Sequence, residues 1–309
     1  MTVFLTGASG LVGSAFARAA ARRGHRVVGV VGGHASGVEG LAEKRTLDLA
    51  DAGATTAAVL DVFPEAIVNC AAVSSPDACE VNPAQAQALN VALPALLAQL
   101  AHHVSARFVH LSSEQVFDGA QTTPYRAGDA PSPIQLYGRQ KLESERAVDA
   151  VAREEAATLR APLLMGNSLA GRRSPHERLF ADWAEGRVPR LYTDEFRQPC
   201  TAENLAEVML ELCERPDVRG VVHWAGAEVI SRHALGRRIR DHFKLSEKEA
   251  PIVAVTRAET PDATRKRQAC LALDLAPLVG KLKTRPQTIA EQLEELKVPP
   301  PYREWYLKR

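Results

Sequence analysis

The run Thr6-Gly7-Ala8-Ser9-Gly10-Leu11-Val12-Gly13 joins a β-branched segment, Val3 to Thr6, to an alanine-rich segment of helical spacing, Val12 to Arg23. A strand that turns through glycines into a helix constrains the fold strongly, because the helix must then carry the chain back to a neighbouring parallel strand. Further short strands are expected at Arg26 to Val31, Thr46 to Leu49, Ala66 to Asn69 and Arg107 to Ser112, with helical stretches between them. Such alternation implies right-handed crossovers and a parallel sheet covered on both faces.

Asn82 to His102 has the apolar spacing of one helix, with Pro83 suited to its first turn. After about residue 160 prolines and arginines become denser and the elements lie further apart. Val221 to Trp224 reads as one more strand, Arg232 to Phe243 as an amphipathic helix and Thr288 to Leu296 as a short one. The expected fold class is therefore α/β, a Rossmann-type doubly wound parallel sheet with a smaller C-terminal substrate-binding cap. Residues 1–160 would form the dinucleotide-binding domain, with a returning strand near 220–226, and 161–309 mainly a discontinuous cap. The tail beyond Pro299-Pro300-Pro301 is aromatic, and packing on the cap or on a second subunit of a homodimer are both open.

Glycine at such a turn permits positive φ and lets a pyrophosphate approach the backbone, while the helix N-terminus offers free N–H groups. Gly7, Gly10 and Gly13 fall three apart, wider than the Gly-x-Gly-x-x-Gly spacing. Their place in the first βα turn favours cofactor binding by Gly7, Ser9, Gly10, Leu11, Val12 and Gly13 over a turn needed for packing alone. The second strand ends without an acidic residue before Glu39. That favours NADP, and NAD stays open, since no arginine stands there to hold a 2′-phosphate. His34 is placed to help if protonated. Asp48, with Leu49 beside it, is placed to meet the adenine edge or simply to cap a turn.

Of the five tyrosines, only Tyr137 is followed four residues later by a lysine, Lys141. On a helix the two share a face, and a neighbouring cation should pull the phenol pKa below its usual value of about 10. Ser112 and Ser113 end the strand before this helix, where open α/β sheets bind ligands. A hydroxyl there can steady the oxyanion formed when hydride adds to a carbonyl.

Together these segments resemble the extended short-chain dehydrogenase/reductase family. Within it, Ser112-Ser113-Glu114-Gln115-Val116-Phe117-Asp118-Gly119 and Tyr137-Gly-Arg-Gln-Lys141 are similar to dTDP-4-dehydrorhamnose reductases and their relatives. Asn69-Cys70-Ala71-Ala72 fits the family's segment beside the nicotinamide ribose, and Asn90 its helix asparagine near the cofactor. Phe196-Arg197-Gln198-Pro199 and His223-Trp224-Ala225-Gly226 fit later landmarks. The resemblance implies that Tyr137 protonates the substrate oxygen and that Ser113 hydrogen-bonds the carbonyl. It implies that Lys141 binds the ribose hydroxyls and lowers the Tyr137 pKa.

Departures concern the substrate. Glu114 stands where the rhamnose-pathway reductases usually carry aspartate, Gln115 where they carry tyrosine, and Leu159 to Gly166 lacks their tryptophan. Ser112 to Gly119 is also similar to the regulatory β subunit of methionine adenosyltransferase. For a nucleotide-sugar diphosphate, Arg172, Arg173, Arg178 and above all Arg197 are the candidate cations, since guanidinium forks suit phosphate. Glu114, Gln115 and Arg197 are the expected substrate contacts. A net charge of +1 gives no reason to expect a nucleic-acid or membrane-surface partner. No stretch has transmembrane length. Five scattered cysteines without a Cys-x-x-Cys point to reduced cytoplasmic thiols and no metal site. The reading is an NADP-dependent reductase of a 4-keto-6-deoxy nucleotide sugar. The alternatives are an epimerase or dehydratase on the same fold, or a cofactor-binding regulatory subunit.

Overall fold

The computed structural model of the protein describes residues 1–32, 37–259 and 267–309, so the reading of His34 lies outside the described residues. Seven parallel strands form the central sheet: β1 (Thr2–Thr6), β2 (Arg26–Val31), β3 (Glu43–Thr46), β4 (Ala66–Asn69), β5 (Arg107–Ser113), β6 (Ala156–Ala161) and β7 (Gly220–His223). Their order across the sheet is β7-β6-β5-β4-β1-β2-β3. The order reverses at β1, so a crevice opens between the carboxyl ends of β1 and β4.

The inner strands are apolar on both sides and bury both. Val3 and Leu5 of β1 face one core with the helices Leu11–Arg22 and Ala202–Glu214. Phe4 between them faces the other, with Leu97, Ala98 and Ala101 of helix Leu93–His103 and Val148 of helix Leu136–Ala152. Each of the larger side chains among them, Val, Leu or Phe, contributes about 1.5–3 kcal/mol on burial. At the edge, β3 reads Glu-Lys-Arg-Thr, and it lies three residues before the strand expected at Thr46 to Leu49. Its polar residues discourage edge-to-edge pairing, while Leu47 and Leu49 beyond it pack into the core.

Helix Ala202–Glu214, within the stretch expected to form the cap, packs on the sheet beside helix Leu11–Arg22. The cap has its own core, built from helices Pro175–Ala184, Arg232–His242 and Ile289–Glu294. Trp305 and Tyr306 of the aromatic tail pack against that core, and the Tyr306 hydroxyl donates to the Phe243 carbonyl at 3.1 Å.

The helix expected from Asn82 to His102 is interrupted. Between Pro83–Gln87 and Leu93–His103, residues Ala88–Ala92 form a π-helical turn, in which the Leu93 N–H reaches the Ala88 carbonyl. Pro94 supplies the reason. It has no N–H to donate, and its ring would collide with the carbonyl four residues back, which is that of Asn90.

Candidate active site

The glycine turn is held from two sides. Gly7 has φ +67°, and a Cβ there would come within 2.7 Å of the Cys70–Ala71 backbone at the end of β4. A Cβ on Gly13 would stand 2.2 Å from the Gly7 carbonyl. Only glycine lets the helix start this close to the turn. Gly10, its N-cap residue, provides no side-chain cap, so the first-turn N–H groups are left for an anion. Gly10, Leu11, Val12 and Gly13 line a cavity of about 580 Å³ that runs from this turn to the cap. Ala72 lines it as well, whereas Gly7, Ser9 and Ala71 do not, and Gly7 packs against the Ala71 backbone. Asp48 is exposed and accepts from the Ala50 N–H at 2.9 Å, and neither it nor Leu49 lines the cavity.

Ser113, Tyr137 and Lys141 converge on the same cavity. Ser113 ends β5 and hydrogen-bonds the Tyr137 phenol. Its Oγ also accepts from the Gln115 N–H at 3.2 Å. Lys141, one helical turn after Tyr137, donates from Nζ to the Leu111 carbonyl at 2.8 Å. Burial pulls this ammonium down to about 8, with Glu145 acting against the shift. The expected lowering of the tyrosine by the lysine is not found. Burial pushes the Tyr137 phenol above its ordinary value, and the Ser113 hydrogen bond only partly offsets that. Tyr137 therefore carries its proton at neutral pH.

A neutral chain of hydrogen bonds ties β1 to the tyrosine helix. The Thr6 hydroxyl donates to Asn69 Oδ1 at 2.6 Å, and Asn69 Nδ2 meets His110 Nδ1 at 3.1 Å. His110 Nε2 meets the Ser144 hydroxyl at 3.0 Å, which itself donates to the Lys141 carbonyl at 2.7 Å. Asn69 Oδ1 is occupied by Thr6 and by the Ala71 N–H, so its amide must donate and His110 carries its hydrogen on Nε2. Burial holds His110 well below its ordinary pKa, which keeps it neutral. Ser112 serves a different network. Its hydroxyl donates to Glu145 at 2.5 Å, and Glu145 pairs with the buried Arg160 guanidinium through two bonds of 2.9 and 2.6 Å.

Asn90 sits on the π-helical turn, fully buried and away from the cavity. It accepts from the Val73 N–H at 2.9 Å and donates to the Val73 carbonyl at 3.1 Å and to Gln140 at 3.0 Å. It clamps the loop after β4 onto the tyrosine helix, and thereby acts as a positioning residue. Cys70 lines the cavity near Lys141, but burial pushes its thiol up to about 12, so it is no nucleophile at neutral pH.

The cap wall is made of charge. Arg172, Arg173, Arg178, Arg197, Arg232 and Arg267 line the cavity, and Glu195 is the hub of three of them. Arg267 Nε lies 2.6 Å from its carboxylate, Arg197 Nη2 3.2 Å and Arg232 Nε 3.9 Å. Among the described residues Arg172, Arg173 and Arg178 have no carboxylate partner. Arg197 also reaches Glu114 Oε1 through Nε at 3.4 Å and donates to the carbonyls of Phe196 and Gln268. Gln115 lines the cavity beside Glu114. Sequence reasoning missed Glu195, Arg232 and Arg267. Glu195 directly precedes the Phe196-Arg197 landmark and was within reach, whereas Arg232 and Arg267 carry no local signal.

An uncapped glycine turn, a serine–tyrosine–lysine group and a guanidinium wall thus share one cleft. The family model described as RmlD substrate binding domain matches residues 1–297. The chain belongs to this family of extended short-chain dehydrogenase/reductases. It is an enzyme of the NAD(P)-dependent oxidoreductase type. A probable low-salt glycan biosynthesis reductase, Agl14 of Haloferax volcanii, is 31% identical over 306 residues, covering 96% of this chain and 97% of that protein. The methionine adenosyltransferase 2 subunit beta of Xenopus tropicalis is 34% identical over 281 residues, 87% of this chain and 80% of the relative. The crystal structure of a hypothetical dTDP-4-dehydrorhamnose reductase from Sulfolobus tokodaii superposes with a TM-score of 0.82 at 27% identity, covering 96% of this chain and all of that one. Among the described residues no helix is long and apolar enough to cross a membrane, and no group of metal-ligating side chains is present.

Proposed function

We propose that the protein is an NADP(H)-dependent reductase of a 4-keto-6-deoxy nucleotide sugar. The observation that carries this reading is the convergence of Ser113, Tyr137 and Lys141 between an uncapped glycine turn and a six-arginine wall. When bound, the nicotinamide supplies hydride to the keto carbon. Tyr137 supplies the proton to the carbonyl oxygen, and its raised pKa suits it, because a phenol that keeps its hydrogen at neutral pH is ready to donate. Ser113 holds that oxygen and orients the phenol, and Lys141 holds the ribose hydroxyls. Gly10 to Gly13 receive the pyrophosphate, with Gly7 and Ser9 shaping the turn. Ala71 and Ala72 border the ribose, and Asp48 and Leu49 the adenine end. Arg197, with Arg232 and Arg267, faces the nucleotide diphosphate, and Glu114 and Gln115 face the sugar.

The test is NADPH oxidation by the purified protein with dTDP-4-dehydrorhamnose generated in situ. Turnover that Tyr137→Phe abolishes supports the reading. NADPH binding without oxidation of any 4-keto-6-deoxy nucleotide sugar overturns it. The identity with the methionine adenosyltransferase β subunit favours a second reading, a regulatory subunit with little turnover. Copurification with a larger enzyme, whose kinetics it alters even as Tyr137→Phe, would support that instead.

A further inference from the structure

Three consecutive residues at the end of β5 each tie to one face of helix Leu136–Ala152. Ser113 hydrogen-bonds the Tyr137 phenol, the Leu111 carbonyl accepts from Lys141 Nζ at 2.8 Å, and the Ser112 hydroxyl donates to Glu145 Oε1 at 2.5 Å. Tyr137, Lys141 and Glu145 follow one another at four-residue steps, so they form one buried stripe along the helix. Glu145 does not line the cavity and is 4% exposed. A carboxylate at that depth is costly unless it is paired.

Its partners hold it rigidly. Oε1 accepts from Arg160 Nε at 2.9 Å as well as from Ser112, and Oε2 accepts from Arg160 Nη2 at 2.6 Å. The guanidinium is 3% exposed, lies 4.9 Å from the Phe117 ring centroid, and reaches the Ala127 carbonyl and His223 Nε2 at 3.3 Å each through Nη1. The anchors of Lys141 and Glu145 are adjacent residues of one strand, a rise of about 3.3 Å, so the two charges stand close together. Among the described residues they nonetheless make no ion pair. Of the three ammonium hydrogens, the fold engages one, on the Leu111 carbonyl.

We propose that Glu145 is a positioning residue, which keeps the Lys141 ammonium charged from one helical turn away and leaves its remaining hydrogens to the cofactor ribose. Arg160 and Ser112 occupy the carboxylate, so it does not swing over to capture the lysine. This deepens the cofactor assignment of Lys141 in the proposed function and rests on it. Lys141 is faced by Tyr137 and Glu145 on its own helix, by Cys70 after β4, by Cys79 of helix Pro76–Val81 and by His110 of β5. Burial pushes both thiols up and His110 down, and Tyr137 keeps its proton, so Glu145 is the ionised member of this set near neutral pH. Arg160 of β6, paired to it, acts in the opposite sense. Burial draws the ammonium down to about 8, and Glu145 is the largest influence against that fall.

The experiment is a titration of NADPH affinity against pH, by fluorescence, in wild type, Glu145→Asp, Glu145→Gln and the double variant Glu145→Gln/Arg160→Gln. Each variant is read as its ratio to wild type at the same pH, so that titration of the cofactor's own phosphate cancels. The double variant carries the test if Glu145→Gln fails to fold, because it leaves no buried cation unpaired. Removing the carboxylate charge should lower the lysine pKa by about one unit. Both charge-removing variants should therefore bind NADPH within about twofold of wild type near pH ~6.5, and about tenfold more weakly near pH ~9. Glu145→Asp, which keeps the charge, should follow the wild-type curve. A ratio that stays constant across pH, or loss of binding at every pH in the double variant, makes the pair purely structural and overturns the proposal. Failure to reduce any 4-keto sugar counts against the reductase reading and leaves this binding result standing. If wild type binds no nicotinamide cofactor, the assignment of Lys141 falls, and this inference falls with it.

Discussion

The two walls of the cleft are built on different principles. On the sheet side, Ser113, Tyr137 and Lys141 are placed by a strand end, a helix and the neutral chain from Thr6 through Asn69, His110 and Ser144. On the cap side, Arg197, Arg232 and Arg267 are gathered around one carboxylate, Glu195. A neutral, buried network holds its geometry across salt and moderate pH. A wall of ion pairs responds to both. On the proposed function, chemistry belongs to the rigid wall and recognition to the other.

Breaking the rigid wall should cost most. Tyr137→Phe removes the proposed proton donor and should lower kcat by about 10³ while leaving NADPH affinity within about twofold, measured by single-turnover kinetics and fluorescence titration. An equal loss of NADPH binding would show that the phenol does more than chemistry. Glu195→Gln leaves three guanidiniums without their shared counter-charge. KM for a nucleotide sugar should rise about tenfold, and its salt dependence should steepen relative to wild type, with kcat changed far less. Salt-insensitive kinetics in both proteins would contradict the contrast between the walls.

The pH dependence of stability offers a third probe. The folded-state pKa of Glu114, about 8, lies above the ordinary carboxylate value of 4.5. The folded chain therefore holds a proton that the unfolded chain has released. Its contribution is full below pH 4.5 and is lost as the pH rises through about 8. The melting temperature of Glu114→Gln should accordingly gain on that of wild type between about pH 5 and about pH 8, seen in parallel thermal scans. A constant difference would mean that Glu114 is ionised throughout. The smallest kinetic effect is expected from Ser112→Ala, whose hydroxyl serves the Glu145–Arg160 pair. It should lower stability by about 1–3 kcal/mol in urea unfolding and change kcat/KM by less than about threefold.

What could be read from the chain follows the same division. β1, β2, β4 and β5 are apolar runs between turn signals, and their positions were legible; β3, all polar, was shifted because an edge strand need not be hydrophobic. Tyr137 and Lys141 were legible because one helical turn brings them together. The arginine wall was not, since Glu195 and Arg267 stand 72 residues apart and meet only through the tertiary fold. The pKa of Tyr137 was misjudged for a related reason. Spacing indicates who the neighbours are, whereas burial, which dominates here, is decided by the whole fold. Helix Ala202–Glu214 is buried nearly all round, a pattern that suits a sheet-covering layer better than a small cap.

The π-helical turn at Ala88–Ala92 carries one residue more than an α-helical path would need. Each residue turns a helix by about 100°, so this extra one sets which way Asn90 points relative to everything before it. Excising a single residue there would leave composition and charge almost untouched. It would nonetheless swing the clamp away from Val73 and Gln140 and uncouple the crevice floor from the tyrosine helix. In a chain of this kind, tolerance to deletion should fall sharply at a position where tolerance to substitution looks ordinary.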